Sequence, residues 1–477
     1  MTSSATLSEP RTPTSTWQRW SFLGSALLYA LPSIWLLGNY LQPAFDLAIY
    51  DQSLWLLLRG ETFNTVGGAH VFGGHFSPIL ILLSPISLIP GGAVPEIVIQ
   101  SLWIASGVFP AAAIARRFGK SEVWLMAIYA LHPAIIGGSW YGFRPWNLAV
   151  PAILWLAAWI LERPSVTSVT VSGLTLLVFR EDMALWVGLL ATILVMAGHI
   201  RVRDYLASGV ILGAVTGFVV LGIIPEFAPT GSYFFASSTE TGLQSVDANV
   251  ASIATRVIFL LAPLGVVPWR LNWKLLAPLS LPVLGLMVKG GNALTTFFHY
   301  DMMFVPLLLV IVGLSESAEN RARATLWLSL VVLVLLGALR PIAPQHGANP
   351  FRIDREMTRE LDAVVRELRA LPGSDQLSLA GPSRVLPHLS ERKNVFIYPS
   401  PFRQHRTQDD GYQFVDLLRY DCPDPNLVIV GTNEIQSTVG IDLQNYEQIL
   451  VTENFLLLQR SRQTPNGPCS TTWSTTE

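Results

Sequence analysis

The chain has 477 residues, of which 51% are hydrophobic and only 13% charged, and its mean hydropathy is +0.44. A soluble domain carries about 25% charged residues. These values exclude an ordinary soluble protein and point to apolar spans joined by short polar loops. The net charge of −2 offers no footprint for nucleic acid.

Residues 1–19 are rich in Ser, Thr and Pro and read as a disordered cytoplasmic tail. The apolar run that follows, 20–40, is long for a signal-peptide core and lacks a small-residue cleavage pattern, so it reads as a retained first span. Further apolar runs lie at 95–115, 122–140, 147–162, 165–180, 183–199, 206–224, 253–268, 275–289, 301–315 and 324–340. Together they predict an α-helical polytopic membrane protein over 20–340 with about eleven transmembrane helices. The run 79–89 is too short to cross, is flanked by Pro78 and Pro90 and contains Pro85, so it reads as an interfacial or re-entrant element.

Lys and Arg collect in cytoplasmic loops. Alternate loops holding Arg116, Arg117, Lys120, Arg163, Arg201, Arg203, Arg270, Lys274, Arg321 and Arg323 are richer than those holding Arg59, Arg144, Arg180, Arg256 and Lys289. That asymmetry predicts a cell (inner) membrane protein with its N-terminus in the cytoplasm. After about residue 340 the composition changes. A segment at 352–371 has apolar residues at helical spacing, and short β-branched runs follow at 376–379, 394–398, 426–430 and 448–458. Residues 341–477 therefore read as a small extracytoplasmic α/β domain. It holds both cysteines, Cys422 and Cys469, which would form a disulfide or remain as two thiols according to the compartment.

Ionisable residues beside apolar sequence are costly and tend to be functional. They gather in the loops assigned to the outside. The first loop carries Asp46, Tyr50, Asp51 and Arg59; Asp46 and Tyr50 are four apart and share a helix face. Asp46 is also placed to be a helix cap. Next come glycine-rich stretches with His70 and His75. Arg180, Glu181 and Asp182 are consecutive between two apolar runs, too tight for an ordinary solvated turn. Arg144 lies among aromatics that read individually as interfacial-belt residues. Lys289, His299, Tyr300 and Asp301 lie on the same side.

Carboxylates there suit a general base. The cations Arg59, His75, Arg144, Arg180, Lys289 and His299, with Tyr50 and Tyr300, suit a phosphorylated substrate. Asp46, Glu181 and Asp182 are hard oxygen ligands for Mg²⁺ or Mn²⁺. Transport of a lipid-linked or anionic molecule, and a non-enzymatic scaffold role, are the alternatives. Transport predicts charges on broken helices within internal repeats, and no repeat is evident.

The runs FDLAIYDQSLW, HFSPILILLSP, FREDMAL, HYDMMFVPLLL and LPHLSERKNVFIYPSPF resemble a family of bacterial membrane proteins of unknown function grouped with the GT-C glycosyltransferase superfamily. The resemblance spans about residues 40 to 400. It implies transfer of a sugar from a polyprenyl-phosphate donor in the membrane lipid to a glycan, lipid or protein acceptor outside the cytoplasm. It implies Asp46 as the catalytic carboxylate, and Glu181 and Asp182 as a later acidic pair. The chain departs from better-known members in having Leu47 where a second acidic residue would follow, with Asp51 as the substitute.

Overall fold

The computed structural model describes residues 15–42, 44, 46–140, 142–228, 250–265, 271–289, 299–315, 322–332, 353–398, 419–421, 425–432, 445–461 and 470–472, with backbone alone at 250–255, 286–289, 299, 322, 419–421 and 470–472. Most of the N-terminal tail, and Cys422 and Cys469, lie outside the described residues.

Helix α1 (Thr16–Gly38) opens on a reciprocal cap, in which Ser15 accepts from the Gln18 amide and Gln18 reaches back to the Ser15 amide. It is one of four helices long and apolar enough to cross a membrane, with Val94–Arg117, Pro145–Glu162 and Val202–Phe227. A fifth crossing is available if Glu122–Leu131 and Pro133–Trp140, bent by 41°, act as one span. The expectation of about eleven spans is therefore corrected to four or five among the described residues. The physical reason is helix length. Val166–Leu177 has 12 residues and Met183–Met196 has 14. At 1.5 Å per residue each reaches roughly 18 to 21 Å, against about 30 Å of hydrocarbon. Trp273–Gly285, Tyr300–Leu314 and Arg323–Val332 are equally short. Apolar content was legible; the breaks that divide it were not. After Leu261, for example, the chain tightens into a 3₁₀ turn that ends on Gly265 at φ 67°.

The long helices differ in surroundings. The apolar window of α1 is 33% buried and that of Val202–Phe227 is 22% buried, so both turn apolar side chains outward, as lipid-facing helices do. Ile79–Leu88 is short and apolar, as the prolines predict. At one end of the bundle Gln18 donates to Glu122 at 2.8 Å, and Glu122 pairs with Arg116 at 2.9 Å. This end holds the basic loop Arg116–Lys120. The candidate site lies beyond the other end of α1.

In the first loop a short antiparallel ladder joins β1 (Phe63–Asn64) to β2 (Ala69–His70), and the C-terminal region is built on a five-stranded mixed sheet. Its strands are β3 (Leu379–Gly381), β4 (Val395–Ile397), β6 (Leu427–Gly431), β7 (Tyr446–Val451) and β8 (Phe455–Arg460), in the order β4-β3-β6-β8-β7. β3 runs parallel to β4 and β6, and β6, β8 and β7 are antiparallel neighbours. The run at 448–458 thus divides into parts of two strands. A separate ladder joins β5 (Arg419–Asp421) to β9 (Ser470–Thr472). The amphipathic helix read at 352–371 spans Arg355–Ala370 and is capped by the Asp354 carboxylate. It buries Leu361, Val364, Val365 and Leu368 against the sheet.

That core also takes in Tyr40, Ala44 and Ala48, so the sheet region sits on the segment directly after α1. His388 Nε2 contacts the Leu37 carbonyl at 3.0 Å, and the Tyr40 hydroxyl donates to Asp362 at 2.9 Å. Gln52 donates to the Arg392 and Lys393 carbonyls, and Thr65 accepts from the Val395 amide. The C-terminal region and the first loop are therefore on the same side of the bundle.

Candidate functional site

The site begins where α1 ends. α2 (Leu47–Leu58) starts from Asp46, whose backbone stands at φ 69° and ψ −68°. A residue with a Cβ pays a steric cost in that region, and such strain is concentrated at functional positions. Asp46 is at the cap position, but its side chain makes no capping hydrogen bond. Its carboxylate turns instead to Arg144, whose Nε and Nη2 both donate to Oδ2, at 2.8 and 2.6 Å. The Arg144 side chain is fully buried, whereas that of Asp46 is 26% exposed. One carboxylate oxygen is thus fixed while the group remains reachable.

The Arg144 loop is held from behind. Gln100 accepts from the Arg144 amide at 2.8 Å and donates to the Gly142 carbonyl at 2.7 Å. Gly142 stands at φ 75°, and a Cβ there would come within 3.1 Å of Leu47 Cβ. Glycine is required there by both conformation and space.

The tight charged turn supplies the second wall. Arg180 pairs with Asp182 through Nε to Oδ1 at 2.5 Å and Nη2 to Oδ2 at 2.6 Å. Glu181 is buried, and its Oε1 meets His75 Nδ1 at 2.6 Å while Oε2 accepts from the Phe76 amide at 2.9 Å. The Ile79 amide bonds to the Val178 carbonyl at 2.8 Å, tying the histidine loop to the charged turn. Burial pushes the Glu181 carboxyl up, but His75 and Arg180 outweigh it and hold it at about 2, so it is ionised. Burial likewise opposes the charge on Arg180, and Asp182 more than restores it.

Trp146 joins the two walls. Its ring centroid lies 4.6 Å from the Arg180 guanidinium carbon and 6.0 Å from that of Arg144. His75 and Tyr50 meet the same ring edge-on, at 5.8 and 5.7 Å. The Tyr50 hydroxyl is raised well above its ordinary value by burial and then by Asp46, against Arg180 and Arg144. Tyr300 lies close enough to Arg180 to act on its charge. Seven of the residues singled out in sequence therefore converge: Asp46, Tyr50, His75, Arg144, Arg180, Glu181 and Asp182, with Tyr300 beside them. Trp146 was read as an interfacial aromatic, and only the tertiary arrangement identifies it as the hub.

Two others stand apart. Arg59 is exposed and stacks on Trp55 at 3.9 Å. Asp51 is fully buried and accepts from Ser390 of the C-terminal region. The side chains of Lys289 and His299 lie outside the described residues. Asp301 is buried against Arg256 at 2.8 Å.

Asp46, Glu181 and Asp182, the carboxylates suited to a divalent ion, meet Arg144, His75 and Arg180 respectively. Among the described residues a set of ligand atoms compatible with a divalent metal occurs in the C-terminal region. Glu356, Glu360 and Glu453 bring carboxylate oxygens within 4.8 Å of one another. In that trio Glu360 already accepts from Thr452 and from Asn454.

The family model described as "Predicted membrane protein (DUF2079)" matches residues 39–429. No curated protein and no solved structure matches the chain.

Proposed function

This chain belongs to the DUF2079 family of membrane proteins, and on that premise we propose that it is a GT-C-type glycosyltransferase using Asp46 as its base. The observation that carries the reading is the Asp46 carboxylate: anchored on Oδ2 by a buried arginine, set on a strained backbone and still reachable. A base needs that combination of fixed geometry and access.

In this reading Asp46 Oδ1 takes the proton of an acceptor hydroxyl as that oxygen attacks the anomeric carbon. The bond from the anomeric carbon to the phosphate oxygen breaks, and its electron pair leaves with the polyprenyl phosphate. Attack from the opposite face inverts the centre. Arg180 and His75, each held by a carboxylate partner, donate hydrogen bonds to the departing phosphate, with Trp146 against both.

The expected orientation follows from the two ends of the bundle. The end with Arg116, Arg117 and Lys120 is cytoplasmic by the positive-inside rule. The site and the C-terminal region then face outward, where a lipid-linked donor and its acceptor would meet.

The test is transfer from a polyprenyl-phosphate sugar by Asp46→Asn in membranes with equal insertion. Loss of a positioned base lowers the rate by about 10²- to 10⁴-fold. Full activity would remove Asp46 from this role. One feature favours transport as the second reading: the helix pair broken at His132, since broken helices frame transporter sites. Movement of an unchanged substrate across sealed vesicles would support it.

A further inference from the structure

α2 carries a second aspartate with very different surroundings. Asp51 is fully buried, and its Oδ2 accepts from the Ser390 hydroxyl. Its Oδ1 has no hydrogen-bond partner among the described residues. Glu96, on the helix Val94–Arg117, is also fully buried, and neither of its carboxylate oxygens has a hydrogen-bond partner among the described residues. The two carboxyls lie within hydrogen-bonding reach of each other.

Their charged neighbour is acidic as well. Glu391 adds negative charge at both, while Arg59 and Arg369 act on Glu391. His388 stands in the 3₁₀ turn that packs on α2 and is itself kept neutral by burial, its value lowered to about 4. The helix Ile79–Leu83 and the turn Ser84–Leu88, also against α2, bring no titratable group.

Two ionised carboxylates in such a place would each lose most of their hydration and repel one another. A single proton between them converts the repulsion into a donor–acceptor pair that titrates as a unit. Burial, and then Glu96, push the Asp51 carboxyl well above the usual carboxylate range, in line with this.

We propose that Asp51 and Glu96 share one proton and, with Ser390, form a latch that seats the C-terminal region on α2, making all three positioning residues for Asp46. The elements joined are a transmembrane helix, the helix that starts at Asp46, and the 386–390 segment. The same interface holds the chain just before Asp46, where Ser383 accepts from the Ala44 amide at 3.0 Å. Neither Asp51 nor Glu96 touches substrate in this assignment.

The contribution is complete at low pH and is lost as pH rises through the pair's upper titration, where a second negative charge is buried. Release of one proton weakens closure by about tenfold per pH unit above that point.

The experiment is hydrogen exchange of α2 and residues 386–397 in the full chain in lipid nanodiscs, corrected for intrinsic rates, across an alkaline titration. Wild type is expected to lose protection with that slope. Glu96→Gln keeps the protection and flattens the slope, because its amide donates to Asp51 without titrating. Glu96→Ala loses protection at every pH. Should Glu96→Gln fail to fold, Asp51→Asn carries the same expectation. A wild-type slope in a folded Gln or Asn variant overturns the proposal. So does protection restored by Mg²⁺ or Mn²⁺ in wild type alone, which would make the pair a cation site. Sugar transfer is not read, so failure here is distinguishable from failure of the proposed activity.

Discussion

Two aspartates five positions apart at the head of α2 have opposite environments. Asp46 faces a buried arginine and keeps access to solvent. Asp51 faces a second carboxyl, is fully buried and is bonded to a distant part of the chain. Residue type and membrane side are the same for both. Partner and burial separate them: a fixed, reachable carboxylate suits proton transfer, whereas a sealed one without a cation suits structural locking.

The largest effect that bears on this contrast is at the hub. Trp146→Ala removes the ring between Arg144, Arg180, His75 and Tyr50. Thermal unfolding should show a loss of about 3–5 kcal/mol, as for a buried aromatic. A change near zero would mean that the ion pairs hold without the ring. Next is Glu181→Gln, which deletes the charge that His75 Nδ1 and the Phe76 amide contact. Denaturant titration should register about 1.5–3 kcal/mol. The wild-type contribution should persist at neutral pH and be lost as pH falls from the ordinary Glu value toward about 2, because the folded-state value is depressed.

A smaller effect concerns the seat of the C-terminal region. His388 is lowered to about 4 by burial, offset in part by its contact with the Leu37 carbonyl. A histidine lowered on folding stabilises above its ordinary value of about 6.5. Proteolysis of the C-terminal region should therefore accelerate as pH falls between those values, and His388→Phe should abolish the acceleration. Unchanged pH dependence in that variant would assign the effect elsewhere. The smallest is Ser383→Ala, expected to cost about 1 kcal/mol through the Ala44 amide, read by thermal unfolding.

Much of the outer cluster was legible in sequence because charge beside apolar sequence is conspicuous. Asp46, His75, Arg144 and the Arg180–Asp182 turn stand out without any structure. Their pairing was not legible, since Asp46 and Arg144 are 98 residues apart and His75 and Glu181 are 106 apart. Glu96 escaped notice because one acidic residue in the first turn of a helix reads as an ordinary end charge. Trp146 escaped because aromatics at a membrane face are common. The span count failed for a related reason. Hydropathy sums apolar side chains, whereas crossing depends on unbroken helical rise, and the breaks at His132–Pro133 and after Leu177 depend on local backbone geometry.

As a base, Asp46 reacts with the acceptor and does not hold the donor. Equilibrium binding of a polyprenyl-phosphate sugar and single-turnover transfer, measured on the same nanodisc preparation of Asp46→Asn, test it most directly. Binding should stay within a few-fold of wild type, with transfer lowered by at least about a hundredfold. Undiminished transfer, or binding and transfer lost together, would contradict it.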